Sequence, residues 1–250
     1  MQGLRVFVTG GAGVIGSELV PMLTNLGATV AVGDLKRKPP DLPDSVTYAR
    51  GDLNDLKYSE LRAINPHIIF HLAATFERFT ETESFYHENF HHSLRLSNHV
   101  IGLSQDLEDL RRVVFASSYL VYDPALYQFT SPQPEPVKIS ESSKLTPRNL
   151  TGAAKLLHEK ELDHFSKQEH NEFTSVYARI FRGYGINSRD VISRWIRALI
   201  RDEEIKIYRP EGLFDYIYAK DAAMALIELA MNEKFTEPVN FGDRQVQKCQ

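Results

Sequence analysis

Three of the four glycines in one short run carry the first chemical signal. In Thr9-Gly10-Gly11-Ala12-Gly13-Val14-Ile15-Gly16 a strand-like segment precedes and a helix-like one follows, the arrangement that holds a pyrophosphate. Gly10 allows a tight turn, Gly13 lets the backbone approach the phosphates, and Gly16 lets helix and strand pack closely. The helix N-terminus that opens there presents free N–H groups and the positive end of its dipole to an anion. Asp34 follows roughly twenty residues further on, where a carboxylate accepts hydrogen bonds from the adenosine ribose hydroxyls. Its charge repels a 2′-phosphate, so NAD rather than NADP is expected. Lys36, Arg37 and Lys38 come next and read as a solvated basic turn.

Histidines form the second group. His87 and His91 stand four apart on a stretch with helical spacing, alongside His92 and His99. Such a pair shares a helix face and suits zinc, but no third ligand is evident and no metal is expected. The single cysteine, Cys249, cannot close an internal disulfide or build a cysteine metal site, which points to a reducing compartment.

The elements that must position these groups alternate along the chain. Short apolar runs at residues 4–8, 29–32, 46–49, 68–72, 113–116 and 174–178 read as strands, and helical patterns at 14–26, 56–64, 84–103 and 151–168 lie between them. Strands that are apolar almost throughout, with helices interposed, imply a parallel sheet covered on both faces. The fold class expected is α/β, a doubly wound parallel-sheet Rossmann fold with a small C-terminal α/β substrate subdomain. Its domains are residues 1–178 for NAD and 179–250 for substrate, the latter with short strands and helices at 191–201 and 221–231. The loop over 123–146, with Pro124, Pro132, Pro134 and Pro136, is long for a connector and reads as functional or mobile.

Composition closes off other classes. With 42% hydrophobic and 25% charged residues in 250, the chain is neither disordered nor a fibrous repeat. A net charge of −4 argues against nucleic-acid or anionic-membrane binding. No apolar run approaches bilayer length, and the chain enters its first strand directly, so no signal peptide is expected. These features point to a soluble cytoplasmic protein.

Further motifs accumulate: Gly51-Asp52-Leu53, His71-Leu72-Ala73-Ala74, Asn89, Phe115-Ala116-Ser117-Ser118-Tyr119-Leu120-Val121-Tyr122, Arg179 to Gly185, and Asp215 to Asp221. Together with the glycine spacing they resemble the extended short-chain dehydrogenase/reductase family, the NAD-dependent sugar-nucleotide epimerases and dehydratases, over residues 3–242. The resemblance implies cofactor contacts from Gly10, Gly13, Val14, Ile15, Gly16, Asp34, Leu35, Asp52, Leu53, Leu72, Ala73, Ala74, Asn89, Ala116, Ser117 and Lys155. It implies substrate contacts from Thr75, Glu77, Ser118, Tyr119 and Arg182. It also implies a homodimer formed through a four-helix bundle built from the helices at 84–103 and 151–168.

The family's hydride chemistry uses a Ser or Thr, a Tyr and a Lys, the Tyr moving the substrate hydroxyl proton and the Lys lowering the Tyr pKa. Ser118 and Lys155 match; the Tyr position is Thr151. An alkyl hydroxyl is a far weaker acid than a phenol, and loss of a general acid/base typically costs about 10²–10⁴ in rate. Three readings stay open: an introduced Tyr→Thr replacement, a different base, of which Tyr119 is nearest in sequence, or a protein that no longer catalyses. The family's dehydratases carry an acid pair directly after this position, whereas Ser118-Tyr119-Leu120-Val121-Tyr122 has no carboxylate. The resemblance therefore implies not elimination but an epimerase, oxidising its sugar transiently to a ketone, or a reductase/dehydrogenase. A non-catalytic NAD-binding protein is the third possibility.

Where the family usually has an Arg that clamps the substrate diphosphate, Phe214 stands. Arg182 is the first substitute, with Arg189, Arg194 and Arg209 behind it. The substrate expected is a nucleotide sugar or a related polyol. Family members usually continue for several dozen residues beyond the segment resembling Val239 to Gly242, so a truncated chain or a minimal lid is expected.

Overall fold

The computed structural model describes residues 1–76, 80–131, 133–168, 172–207 and 213–242, and the backbone of 247–248. Strands β1 (Arg5–Thr9), β2 (Thr29–Asp34), β3 (Thr47–Arg50), β4 (Ile68–His71), β5 (Arg112–Ser118) and β6 (Thr174–Ile180) belong to one sheet. Outside it lie β7 (Arg182–Tyr184), β8 (Leu213–Phe214) and β9 (Tyr216–Tyr218). The main sheet's last member is β10 (Val239–Phe241), and β11 (Gln247–Lys248) pairs with β8. The main order is β10-β6-β5-β4-β1-β2-β3, and every neighbouring pair is parallel.

Alternating side chains of the same strand feed two cores, which is why the strands read as continuous apolar runs. Val6 and Val8 face α1 (Gly16–Asn25) and α7 (Ala219–Met231), meeting Leu19, Leu23, Ala222 and Leu226. Phe7, Ile69, Val113 and Phe115 face the opposite layer, which holds α2 (Tyr58–Ile64), α4 (Leu96–Ser104) and α5 (Leu150–Phe165). Each fully buried apolar side chain contributes about 1.5–3 kcal/mol, and Val6, Phe7, Val8 and Phe70 are all buried to within 1%.

The helical pattern at 84–103 is interrupted. α3 (Glu83–Asn89) passes through a π-helical segment, Phe90–Arg95, before continuing as α4. The looser i→i+5 winding recurs at functional sites. α6 (Val191–Ile200) starts at Asp190, whose side chain accepts from Ser193 N at 3.0 Å.

The long connector at 123–146 closes on itself. Asp123 N donates to Lys144 O at 2.9 Å, and Tyr122 bridges Leu145. It carries a satellite core of Tyr119, Leu120, Val121 and Tyr122 packed with Leu126, Ile139 and Leu145. No described helix is long and apolar enough to cross a membrane.

A buried cation ties the far end of the chain to the sheet. Arg112, 2% exposed, donates to Thr174 Oγ1 at 2.8 Å and to the carbonyls of Leu229, Asn232 and Phe235 around the end of α7. Those carbonyls are the negative end of the helix dipole, where a guanidinium belongs.

A candidate active site along the strand ends

The strand order reverses at β1, with β2 and β3 added on one side and β4 on the other. The connections leaving the C-terminal ends of β1 and β4 therefore run to opposite faces and open a crevice, the usual ligand site of such sheets. Every described residue singled out from β1, β2, β4 and β5 lies at that edge. Gly10 has φ +73°, and a Cβ there would sit 2.8 Å from Ala73 N. Gly16 lies against the backbone of Gly10 and Gly11 with no room for a Cβ, so its close approach is to the turn rather than to the strand. A Cβ on Gly13 would meet only Gly10 O, at 3.1 Å. The N–H groups of Val14 and Ile15 have no acceptor among the described residues. Free donors at a helix start, above a surface kept bare, fit the pyrophosphate of a dinucleotide.

Asp34 ends β2 and is 8% exposed. Its carboxylate accepts from Ala12 N at 2.9 Å and Lys36 N at 2.8 Å, so it is oriented by the glycine turn itself. Lys36 is not simply solvated: its Nζ donates to Ala12 O at 3.1 Å. Asp52 follows β3 and accepts from Asn54 N and Nδ2, both at 2.9 Å, and pairs with His91 Nε2 at 2.7 Å. Burial pushes its carboxyl up, but the bonds from Asn54 and His91 outweigh it and bring the pKa down to about 2. Leu53 points into the core beneath Gly33, and Leu35 is exposed at the strand end.

The wall opposite is held by a hydrogen-bond chain. Thr9 Oγ1 accepts from Leu72 N and Ala73 N at 3.1 and 3.2 Å, which leaves its proton to donate to His71 Nδ1 at 2.7 Å. His71 Nε2–H then donates to Ser97 Oγ at 2.8 Å. Burial, with Lys155 and His158 adding to it, pushes the His71 pKa well below its usual value, so the ring stays neutral. Ala74 is exposed beside it. Thr75 Oγ1 donates to Asn89 Oδ1 at 2.9 Å and Thr75 N donates to Ser93 Oγ at 3.0 Å, while Asn89 Nδ2 donates to Leu150 O at 3.4 Å. Asn89 thus joins the β4 loop to the start of α5. Glu77 and Arg209 lie outside the described residues.

At the chemical end, Ser118 Oγ accepts from Leu120 N at 3.2 Å and caps the turn Tyr119–Val121. Gly152 lies directly against Leu120 O, which brings the first turn of α5 onto that turn. Thr151, 5% exposed, sits there with its Oγ1 buried and without a hydrogen-bond partner. Lys155, 8% exposed, lies one turn on, its Nζ 4.7 Å from the centre of the Phe115 ring. Burial pulls its pKa down to about 8 against the opposing charge of Glu159. His158 continues the same face with Nδ1 2.5 Å from Glu161 and Nε2 unpartnered. Positions 151, 155 and 158 therefore form a stripe of under-satisfied polar groups along α5. Tyr119, the alternative base, is 8% exposed and stacks on Phe181 and edges Tyr127.

Residue-type reasoning missed the network behind this stripe. Glu159 and Arg179, both 3% exposed, form a bidentate pair at 3.0 and 2.7 Å. Glu159 also accepts from Ser117 Oγ at 2.5 Å, while Arg179 donates to Tyr122 Oη at 3.0 Å. Ser117 therefore faces this pair, and Ala116, 8% exposed, packs in the first core. The spacing Lys155–Glu159, one helical turn, was the only signal in the sequence.

Arg182 has its guanidinium carbon 4.6 Å from the centre of the Phe214 ring and no carboxylate partner among the described residues. The residue that replaces the expected clamp thus supports the cation next to it. Arg189 and Arg194 are exposed. A cavity of about 310 Å³ opens nearby, lined by Tyr184, Ile192, Tyr216, Tyr218, Asp221 and Gly242 among others.

Comparison with known proteins places this arrangement. The model of the NAD dependent epimerase/dehydratase family matches residues 6–242. A UDP-glucose 4-epimerase of Azospirillum brasilense is 31% identical over 166 residues, 63% of this chain and 43% of that protein, so the match spans less than half of the relative's length. The solved structure of MoeE5 in complex with UDP-glucose and NAD superposes with a TM-score of 0.82 at 28% identity, over 98% of this chain and 78% of that one. A UDP-galactose 4-epimerase structure superposes with a TM-score of 0.75, also at 28% identity, over 98% and 79%. With nearly the whole chain matched by one family model and the Rossmann sheet in place, the protein belongs to the NAD-dependent epimerase/dehydratase family.

Proposed function

We propose that the chain binds NAD along the β1–β2–β4 edge and takes a nucleotide sugar, with epimerisation at one sugar carbon as the chemistry its architecture serves, and that Thr151 impairs this chemistry. The observation that carries the reading is the buried, unpartnered Thr151 Oγ1 one helical turn from Lys155, beside a cofactor cradle that is otherwise complete. NAD, when bound, supplies the hydride acceptor. Val14, Ile15 and Gly16 hold the pyrophosphate through their N–H groups, and Asp34, pre-oriented by Ala12 and Lys36, takes the adenosine ribose. Ser118 orients the substrate oxygen. Lys155 places positive charge beside the reacting hydroxyl, and Arg182, braced on Phe214, receives the substrate's phosphates. Residues 179–250 serve the substrate, and 1–178 the cofactor.

The unsatisfied Thr151 hydroxyl also favours a second reading, a non-catalytic NAD-binding protein. Exposed Tyr86, Phe90 and Leu157 on the two expected dimer helices support a homodimer, and the lone cysteine supports a reducing, cytoplasmic setting. The experiment is to mix the purified chain and Thr151→Tyr with NAD and UDP-glucose, following both sugar interconversion and nicotinamide absorbance. Interconversion without net NADH supports the epimerase; net NADH supports a dehydrogenase; NAD binding without turnover in either protein supports the second reading. A chain that binds no NAD contradicts all three.

A further inference from the structure

The histidine pair singled out in the sequence, His87 and His91, does not form a metal cluster among the described residues, but His91 lies with two other potential ligands, Asp52 and His92. We propose that Asp52, His91 and His92 form a binding site for a divalent transition-metal ion of the zinc class, at the rim of the crevice next to the end of β3. One carboxylate oxygen and one ring nitrogen from each histidine lie within 4.8 Å of one another. Around a tetrahedral ion with bonds of about 2.0–2.1 Å, donors sit roughly 3.3 Å apart, so small side-chain rotations bring the three protein donors to that spacing and leave the fourth position to water. Two imidazoles and a carboxylate are a donor set of the borderline kind that zinc and its neighbours take from proteins.

Three features beyond proximity point to a ligand. Asp52 is aimed: Asn54 holds one oxygen with two bonds of 2.9 Å, leaving the other toward His91. Such outer bonds orient metal-binding carboxylates. His92 Nδ1 is buried and has no hydrogen-bond partner, so the Asp52–His91 pair accounts for two members of the cluster and leaves the third unexplained. The two histidines are consecutive, yet each places a ring nitrogen within 4.8 Å of the same aspartate oxygen, with rings 4.6 Å apart and at 87°. They do so inside the π-helical segment Phe90–Arg95, whose widened turn is the kind that marks functional positions. Asp52 is also one of the cofactor contacts that the family resemblance implies, so metal and dinucleotide would compete for it. The site itself does not depend on the proposed enzymatic activity.

The test uses the full chain without nucleotide. Zn²⁺ is titrated by calorimetry, and Co²⁺ by visible absorption, into the parent protein and the His91→Gln, His92→Gln and His87→Gln variants. The expected result is one equivalent of Zn²⁺ that displaces a tetrahedral Co²⁺ spectrum. His91→Gln and His92→Gln should each bind at least about tenfold more weakly, and His87→Gln should bind as the parent does. If a histidine variant folds poorly, Asp52→Asn, which keeps an acceptor for Asn54, must show the same weakening. Absence of stoichiometric binding, or binding that persists unchanged in a His91→Gln/His92→Gln double variant through Cys249 or another histidine, overturns the proposal.

Discussion

At the scale of single residues, the site combines groups that are well held with groups left wanting. Asp34 is fixed by two backbone donors before any ligand arrives. Asp34→Ala should weaken NAD binding roughly tenfold to a hundredfold, the cost of hydrogen bonds to a charged group at about 1.5–3 kcal/mol, as read by calorimetric titration. Lys155 is the opposite case. Its pKa falls from 10.5 to about 8 on folding because burial disfavours the ammonium. The unfolded chain therefore binds more protons than the folded one between pH 8 and 10.5, and stability rises with pH across that window. Below pH 8 the full cost is present, of order 3 kcal/mol. In denaturant titrations without NAD, Lys155→Met should be more stable than the parent at pH 7, and the difference should vanish as the pH approaches 10.5. Equal stability of the two proteins at pH 7 would show that the ammonium is not desolvated as described.

At the scale of elements, side-chain pairs distant in sequence lock α5 and α7 onto the sheet. The Glu159–Arg179 pair joins α5 to β6 and reaches β5 through Ser117. Removing one member of a buried pair leaves an uncompensated charge, so Arg179→Met should lower stability by about 3–5 kcal/mol, measured as a denaturant midpoint. Substituting both members by apolar residues of similar size should recover most of that loss. Arg112→Leu strands the carbonyls of Leu229, Asn232 and Phe235. It should cost about 3 kcal/mol or more and raise hydrogen exchange at the end of α7 first. The strands and long helices were legible in the residues because both faces of β1, β4 and β5 are buried and apolar. The glycine turn was legible because its spacing is local. These pairs were not, because their members lie 20 and 117 residues apart and only the fold brings them together. Asp52 beside His91, 39 residues away, escaped for the same reason, and the π-helical segment has no spacing that distinguishes it from ordinary helix.

At the scale of the whole molecule, the two ends of the crevice differ in completeness. The cofactor end has its bare glycine surface, its free N–H groups and its oriented acid. The substrate end has a serine, a buried lysine at the edge of deprotonation, an aromatic-braced arginine and a hydroxyl with nothing to bond. That contrast supports the proposed reading, in which the fold is kept and the proton-transfer group is not. The measurement that bears on it most directly is the rate of nucleotide-sugar interconversion by Thr151→Tyr relative to the parent chain, with NAD affinity measured on both. The expected result is unchanged NAD binding and a rate gain of about 10²–10⁴, the contribution of a general acid/base. Equal rates in the two proteins, with NAD bound to both, would contradict the claim that position 151 is where the chemistry is interrupted.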